Sequence, residues 1–157
     1  MILHLPCCLA TDYRTLSHEG KQAENSTAEV EMKRCPFCDP DEEMIIWKDE
    51  NVYVIRDLYP VSPSHTLIIP FRHFASVFDA TDDELQSISR ALRFRKEQLE
   101  RSLAADGYNI GVNEGAAAGQ TIPHVHIHLI PRFERDVDDP RGGIRGVIPE
   151  KKTYPGL

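Results

Sequence analysis

At 157 residues, with 41% hydrophobic and 27% charged side chains, the chain has the make-up of one soluble globular domain able to bury an ordinary core. A formal net charge of -7 argues against sequence-blind binding of nucleic acid, yet leaves room for a small anionic ligand held by local dipoles. No apolar run approaches the roughly 20 residues of a membrane span, and the opening "MILHLPCCLA" lacks the Lys or Arg of a signal peptide, so a cytoplasmic setting is expected.

Residues 1–33 lack sustained periodicity and are expected to form a mobile N-terminal extension, with a short helix near "STAEVEMK". Cys7 and Cys8 are adjacent and poorly placed for a mutual disulfide. The compact domain is expected over 34–157. "MIIWKDENVYVIRDLYP" gives two β-rich runs around Asp49-Glu50-Asn51, hence a hairpin. "HTLIIPF" is a third strand, closed by Pro70. "ATDDELQSISRALRFRKEQLERSLAADGYN" predicts one long helix, with Thr81 and Glu84 as a capping box and Gly107 as its stop. Its apolar stripe is Leu85, Ile88, Leu92, Leu99 and Leu103. A strand "YNIGVN", the small-residue loop "EGAAAG" and a strand from about Gln120 to Ile130 follow, the last ended by Pro131. A loop-rich tail begins at about 132. This order indicates an α+β fold, an antiparallel sheet of about five strands with one helix on a face.

The chemistry concentrates in "HVHIHLI". Strict alternation puts His124, His126 and His128 on one face of a strand and Val125, Ile127 and Leu129 on the other. One metal shared by all three is awkward, because strand residues i and i+4 stand about 13 Å apart. "RCPFCDP" offers Cys35 and Cys38 as half of a zinc site, with His65, His73 or the triplet as the complement; two reduced core thiols are the plainer alternative. "NEGAAAGQTIP" carries Gly115, Gly119, Gln120 and Thr121, whose backbone N–H groups and side chains suit a phosphate cradle beside imidazoles.

"GQTIPHVHIHLIPR" resembles the signature of the histidine-triad (HIT) superfamily, and "CPFC", "RDLYPVSPSHTLIIPFRHF" and "NEGAAAGQ" match its other blocks in order and spacing. The "HLIPR" ending is closer to its dinucleoside-polyphosphate hydrolase branch than to its phosphoramidases. The resemblance covers roughly 35–157 and implies a homodimer whose two sheets join into one. It further implies a structural Zn²⁺ on Cys35, Cys38, His73 and His124, with His126 as the nucleophile that forms a nucleotidyl-imidazole. His128 is implied on the phosphate and bridging oxygen, with His65 hydrogen-bonded to it. Asp57 is implied on the ribose, Ile55 and Leu58 at a purine, and Asn113, Gly119, Gln120 and Thr121 around the phosphate. Phe94 is the candidate for an exposed, dimer-facing part of the helix. In dimeric members such tails approach the partner's site, which makes Arg141 or Arg145 the candidate for a leaving-group contact there, with a solvated basic loop as the alternative. The expected substrate is an adenosine-5′-phosphoryl-X compound, first a dinucleoside polyphosphate, with a purine phosphoramidate as the alternative. A hydrolase using the histidines as ligands to a catalytic zinc is the rival from another class.

Overall fold

The computed structural model describes residues 35–154. The expected N-terminal extension, its short helix and Cys7–Cys8 lie outside the described residues. The chain runs β1 (Ile45–Lys48), β2 (Val52–Arg56), β3 (Thr66–Pro70), α1 (Asp82–Ser102), β4 (Gly107–Gly111) and β5 (Ile127–Arg132). All strand pairs are antiparallel, in the order β1-β2-β3-β5-β4. This is the α+β sheet with one helix that the sequence predicts. No helix among the described residues is long and apolar enough to cross a membrane.

The first hairpin turns where the sequence places it. Asp49 Oδ1 accepts from the N–H groups of Asn51 and Val52, so one carboxylate satisfies two turn donors. The helix starts at the predicted capping box: Thr81 Oγ1 accepts from Glu84 N–H while Glu84 Oε2 accepts from Thr81 N–H. Arg72 then grips the same carboxylate through Nε at 2.9 Å and Nη2 at 2.8 Å, which pins the segment after β3 to the start of α1.

One face of the sheet packs under α1, with Val52, Val54, Ile68, Ile127 and Leu129 meeting Ile88, Ala91 and Leu99. The opposite face carries Tyr53, Leu67 and Ile69, covered by Phe37. Tyr53 Oη donates to the Phe37 carbonyl at 2.8 Å, tying the Cys-Pro-Phe-Cys turn to this second face.

Several local expectations are corrected. Gly107 does not stop the helix; α1 ends at Ser102, Ala104 takes the left-handed turn at φ 49°, and Gly107 opens β4. Leu85 is exposed, whereas Arg95, which carries a charge, lies 6% exposed within the buried stripe. Its Nε donates to Thr66 Oγ1 at 3.1 Å and its Nη1 to Gln98 Oε1 at 3.0 Å, so the polar head is satisfied while the stem packs. Phe94 is half-buried and stacks on Trp47 with centroids 5.5 Å apart, so it is not an exposed patch. The histidine strand begins at Ile127 rather than near Gln120, and Pro131 lies inside it. The Pro131 carbonyl accepts from Ser62 Oγ at 2.6 Å, on the side away from β4, so the missing N–H removes no rung of the β4–β5 ladder. Short 3-10 turns at Gly143–Val147 and Pro149–Lys151 organise the tail.

Candidate active site

Only His128 of the three histidines sits in the β5 ladder, opposite Leu67 of β3 and Gly111 of β4. His124 and His126 extend the same line beyond it, held by a bond from Val125 N–H to the Phe74 carbonyl at 2.7 Å. The alternation survives outside the ladder, and the imidazoles divide into two groups.

The first group gathers around His124, which is wholly buried. Its Nε2 donates to the Pro70 carbonyl at 2.8 Å, and since a carbonyl only accepts, Nδ1 is left with its lone pair. That Nδ1 lies 3.4 Å from Cys35 Sγ and 3.6 Å from Cys38 Sγ, and Cys38 Sγ lies 3.2 Å from His73 Nδ1. All four donor atoms fall within 4.8 Å of one another. Tetrahedral zinc with ordinary bond lengths puts sulfur and nitrogen ligands about 3.6 Å apart, so the donor set and spacing fit this ion. The carbonyl behind His124 is the outer partner that zinc-binding imidazoles commonly have. Desolvation, then the neighbouring Cys35 sulfur, pushes the Cys38 thiol up, a cost a cation between the sulfurs would offset.

The second group is His126, His128 and His65. His126 Nδ1 donates to the His124 carbonyl at 2.9 Å, which leaves Nε2 as a free lone pair. Phe37 meets the His126 ring edge-on at 5.2 Å and the His124 ring at 5.9 Å, so one aromatic wedge braces both imidazoles. His65 Nε2 and His128 Nδ1 are 3.0 Å apart. His65 Nδ1 receives the Val61 N–H at 3.4 Å and stands 3.3 Å from Asp57 Oδ2. If Val61 donates, His65 carries its proton on Nε2, passes that hydrogen bond to His128 Nδ1, and leaves His128 protonated on Nε2. His128 Nε2 is buried and has no partner, the kind of exception that calls for a ligand. Burial is the first cause holding both His65 and His128 below the ordinary histidine range, so both are neutral near pH 7.

The remaining predicted site residues are spread around this pair. Asp57 follows β2 and also caps its own turn, accepting from Tyr59 N–H at 2.8 Å. Ile55 packs into the apolar layer beside it, while Leu58 is 72% exposed and free to meet a ligand. Asn113 lines a cavity of about 270 Å³ together with His65 and His128. Gly119 takes the left-handed conformation, φ 87°, that closes the turn Ala116–Ala118. Gln120 is committed structurally: its Oε1 accepts from Gly115 N–H at 2.8 Å and its Nε2 donates to the Ala75 carbonyl at 2.7 Å. These bonds shape the loop and use one of the two Nε2 hydrogens, leaving the other uncommitted. Thr121 is exposed. Within the protomer Arg141 pairs with Asp139, and Arg145 donates to the Lys151 and Lys152 carbonyls.

Sequence reasoning missed Phe37, Val61 and the Pro70 carbonyl. Phe37 had a visible signal, as the lone aromatic between the two cysteines. The backbone groups had none.

Residues 40–135 match the HIT domain family. An uncharacterized HIT-like protein of Methanocaldococcus jannaschii is 39% identical over 92 residues, 59% of this chain and 70% of that protein. A bis(5′-nucleosyl)-tetraphosphatase of Schizosaccharomyces pombe is 39% identical over 83 residues, 53% of this chain but only 46% of the longer relative. The crystal structure of a zinc-bound histidine triad family protein from Mycobacterium smegmatis superposes with a TM-score of 0.59 at 33% identity, covering 66% of this chain and 78% of the other.

Proposed function

The chain belongs to the HIT domain family, and on that premise we propose that it hydrolyses adenosine-5′-phosphoryl-X compounds, dinucleoside polyphosphates first, through a covalent nucleotidyl-His126 intermediate. One observation carries the reading: His126 and His128 lie side by side in complementary states. His126 presents a bare Nε2, because the His124 carbonyl holds the proton on Nδ1, and His128 presents an unpartnered buried Nε2.

In the first displacement His126 Nε2 bonds to the α-phosphorus. The bond to the bridging oxygen breaks, and its electron pair leaves with X. A phosphate leaving group needs no proton near neutral pH, so neutral His128 serves by donating a hydrogen bond to the departing oxygen. The imidazolium formed keeps its Nδ1–H on the His124 carbonyl. Water then attacks phosphorus, the P–N bond breaks, and the pair returns to Nε2 while one proton goes to solvent. Backbone N–H groups around Gly119 and Thr121, with Asn113, are the proposed donors to the phosphoryl oxygens; Asp57 takes the ribose hydroxyls and Ile55 and Leu58 the purine. The relatives support this chemistry, since a tetraphosphatase and an adenylylsulfatase of Arabidopsis thaliana, the latter 32% identical over 121 residues, 76% of this chain and 61% of that relative, each have names implying cleavage at a phosphoryl bond. A phosphoramidate is the weaker alternative, because its amine must leave protonated and burial keeps His65 and His128 neutral.

Zn²⁺, held by Cys35, Cys38, His73 and His124, would act structurally, with all four positions of its shell filled by protein. That arrangement disfavours a catalytic zinc on the histidine trio. A homodimer joined along the exposed β4 edge, where Ile110 is 48% exposed, and a cytoplasmic setting that keeps the thiols reduced complete the reading.

The test is His126→Ala. It should reduce turnover of diadenosine triphosphate by at least about 10³-fold while leaving AMP binding nearly intact. Quenching the unmutated enzyme with alkaline denaturant, in which the P–N bond survives, after mixing with radiolabelled substrate should trap label on His126. A variant that turns over at near-normal rates removes the nucleophile from the mechanism.

A further inference from the structure

The strand order places two different surfaces on opposite flanks of the imidazoles. On the face opposite α1, Ile55 lies on β2 with Asp57 just after it, His65 leads into β3, His126 immediately precedes β5 and His128 lies on it, and Asn109 and Gly111 lie on β4. The proposed adenosine residues therefore all stand on the β2 side of the histidines. The cavity that contains His65 and His128 opens on the other side, over β4. Resting on the hydrolase reading above, we propose that this β4 flank is a second subsite that takes the nucleobase of the leaving group, with Ile144 and Val147 of the tail as its specificity-determining residues.

The tail is built to supply that wall. Gly142 adopts φ 83°, where a side chain is strained, and a Cβ there would collide with the Lys152 carbonyl. Lys152 Nζ donates to the Asp139 carbonyl, Arg145 to the carbonyls of Lys151 and Lys152, and the Arg145 guanidinium lies 4.4 Å over the Tyr154 ring. These links fold residues 139–154 on themselves and set the turn Gly143–Val147 against β4, where Ile144 faces Gly111. Ile144 and Val147, 55% and 77% exposed, then line the cavity with Val61 and Ile130.

The chemistry of this wall selects a ring. The nearby arginines are engaged elsewhere: Arg132 with Asp136, Arg141 with Asp139, and Arg145 with the tail backbone. An apolar wall without a free cation among the described residues suits the face of a heterocycle better than a phosphate. Polar edges are matched by Asn113 and by Asn109, whose Oδ1 is held by Arg132 Nη1 so that Nδ2 is left to donate. At about 270 Å³ the cavity is at the small end of ligand pockets, room for one ring system and not for a whole dinucleotide. A substrate lying across the sheet would place adenosine over β2, phosphorus over the histidines and the second base over β4.

The test compares kcat/KM for diadenosine triphosphate, which leaves with a second base, and adenosine-5′-phosphosulfate, which leaves without one. The ratio of the two should fall about tenfold in Ile144→Ala and in Val147→Ala, and stay unchanged in Leu58→Ala, which touches the shared adenosine. Both tail residues are exposed, so their truncation leaves the fold intact, and a thermal melt checks this. An unchanged ratio in both tail variants overturns the subsite while leaving the hydrolase reading standing. If the unmutated protein cleaves neither compound, the hydrolase reading fails and takes the subsite with it.

Discussion

Replacing Cys38 with alanine opens the four-donor cluster at its exposed corner, where little packing is lost with the thiol. The effect should come through the metal. An ion bound a thousandfold below its free concentration stabilises the fold by about 4 kcal/mol, which for a domain of this size is roughly 15 °C in Tm. In the apo state the variant costs little more, because Cys35 Sγ, the nearer sulfur at 3.4 Å, still faces the buried His124 Nδ1. Activity should fall as well, because the His124 whose ring faces the cluster also holds the His126 proton through its carbonyl at 2.9 Å. A drop of about 10–100-fold in kcat is expected, with KM nearly unchanged. The assay is zinc content by elemental analysis, paired with melts and turnover in the presence and absence of a chelator. Chelated wild type should approach the variant. A full equivalent of zinc retained by Cys38→Ala, with wild-type melting indifferent to chelation, would refute the four-ligand assignment.

Two further outcomes concern acid. The bidentate Arg72 contact, followed by the Thr81 cap, holds Glu84 down at about 2 against an ordinary 4.5, so its contribution is full above 4.5 and fades as pH falls towards 2. Glu84→Gln should cost about 1–2 kcal/mol in urea melts at neutral pH, less than the shift alone implies because Arg72 is half-exposed; equal stability at neutral pH would contradict this. His65 and His128 are lowered by burial, so below the ordinary value of 6.5 the unfolded chain takes up protons that the fold refuses. Stability should be complete above 6.5 and decline as pH falls through the lowered values. His65→Gln should flatten that decline, and an unchanged slope would show that His65 does not contribute to it.

What was legible in the sequence followed from local rules. Asp49, Thr81 and Glu84 act on neighbours within three positions, and their turn and cap appear where predicted. The spacing of cysteines and histidines left the partners of Cys35 and Cys38 open, and it was the HIT resemblance that implied the four side chains the fold gathers. Failures arose where a distant element decided the outcome. Pro131 normally ends a strand, but β3 stops short on that side, so the ladder tolerates it. Arg95 sits in an apolar stripe because Thr66, across the interface, gives its head an acceptor. The wall made by Ile144 and Val147 depends on the tail folding back, which neither periodicity nor spacing encodes.

The sheet order has a consequence for how the protein matures. β1, β2 and β3 pair as consecutive neighbours, but β5 must enter between β3 and β4 after the whole of α1 and β4 has passed. Such non-local pairing forms late, since loop closure precedes its reward. The imidazoles ride on that inserted segment, with His65 and Cys35 waiting on earlier parts of the chain. A partly folded molecule can therefore show the hairpins and the helix yet lack the assembled imidazoles. In a refolding experiment, recovery of turnover should mark completion of the last strand, lagging behind recovery of helical signal.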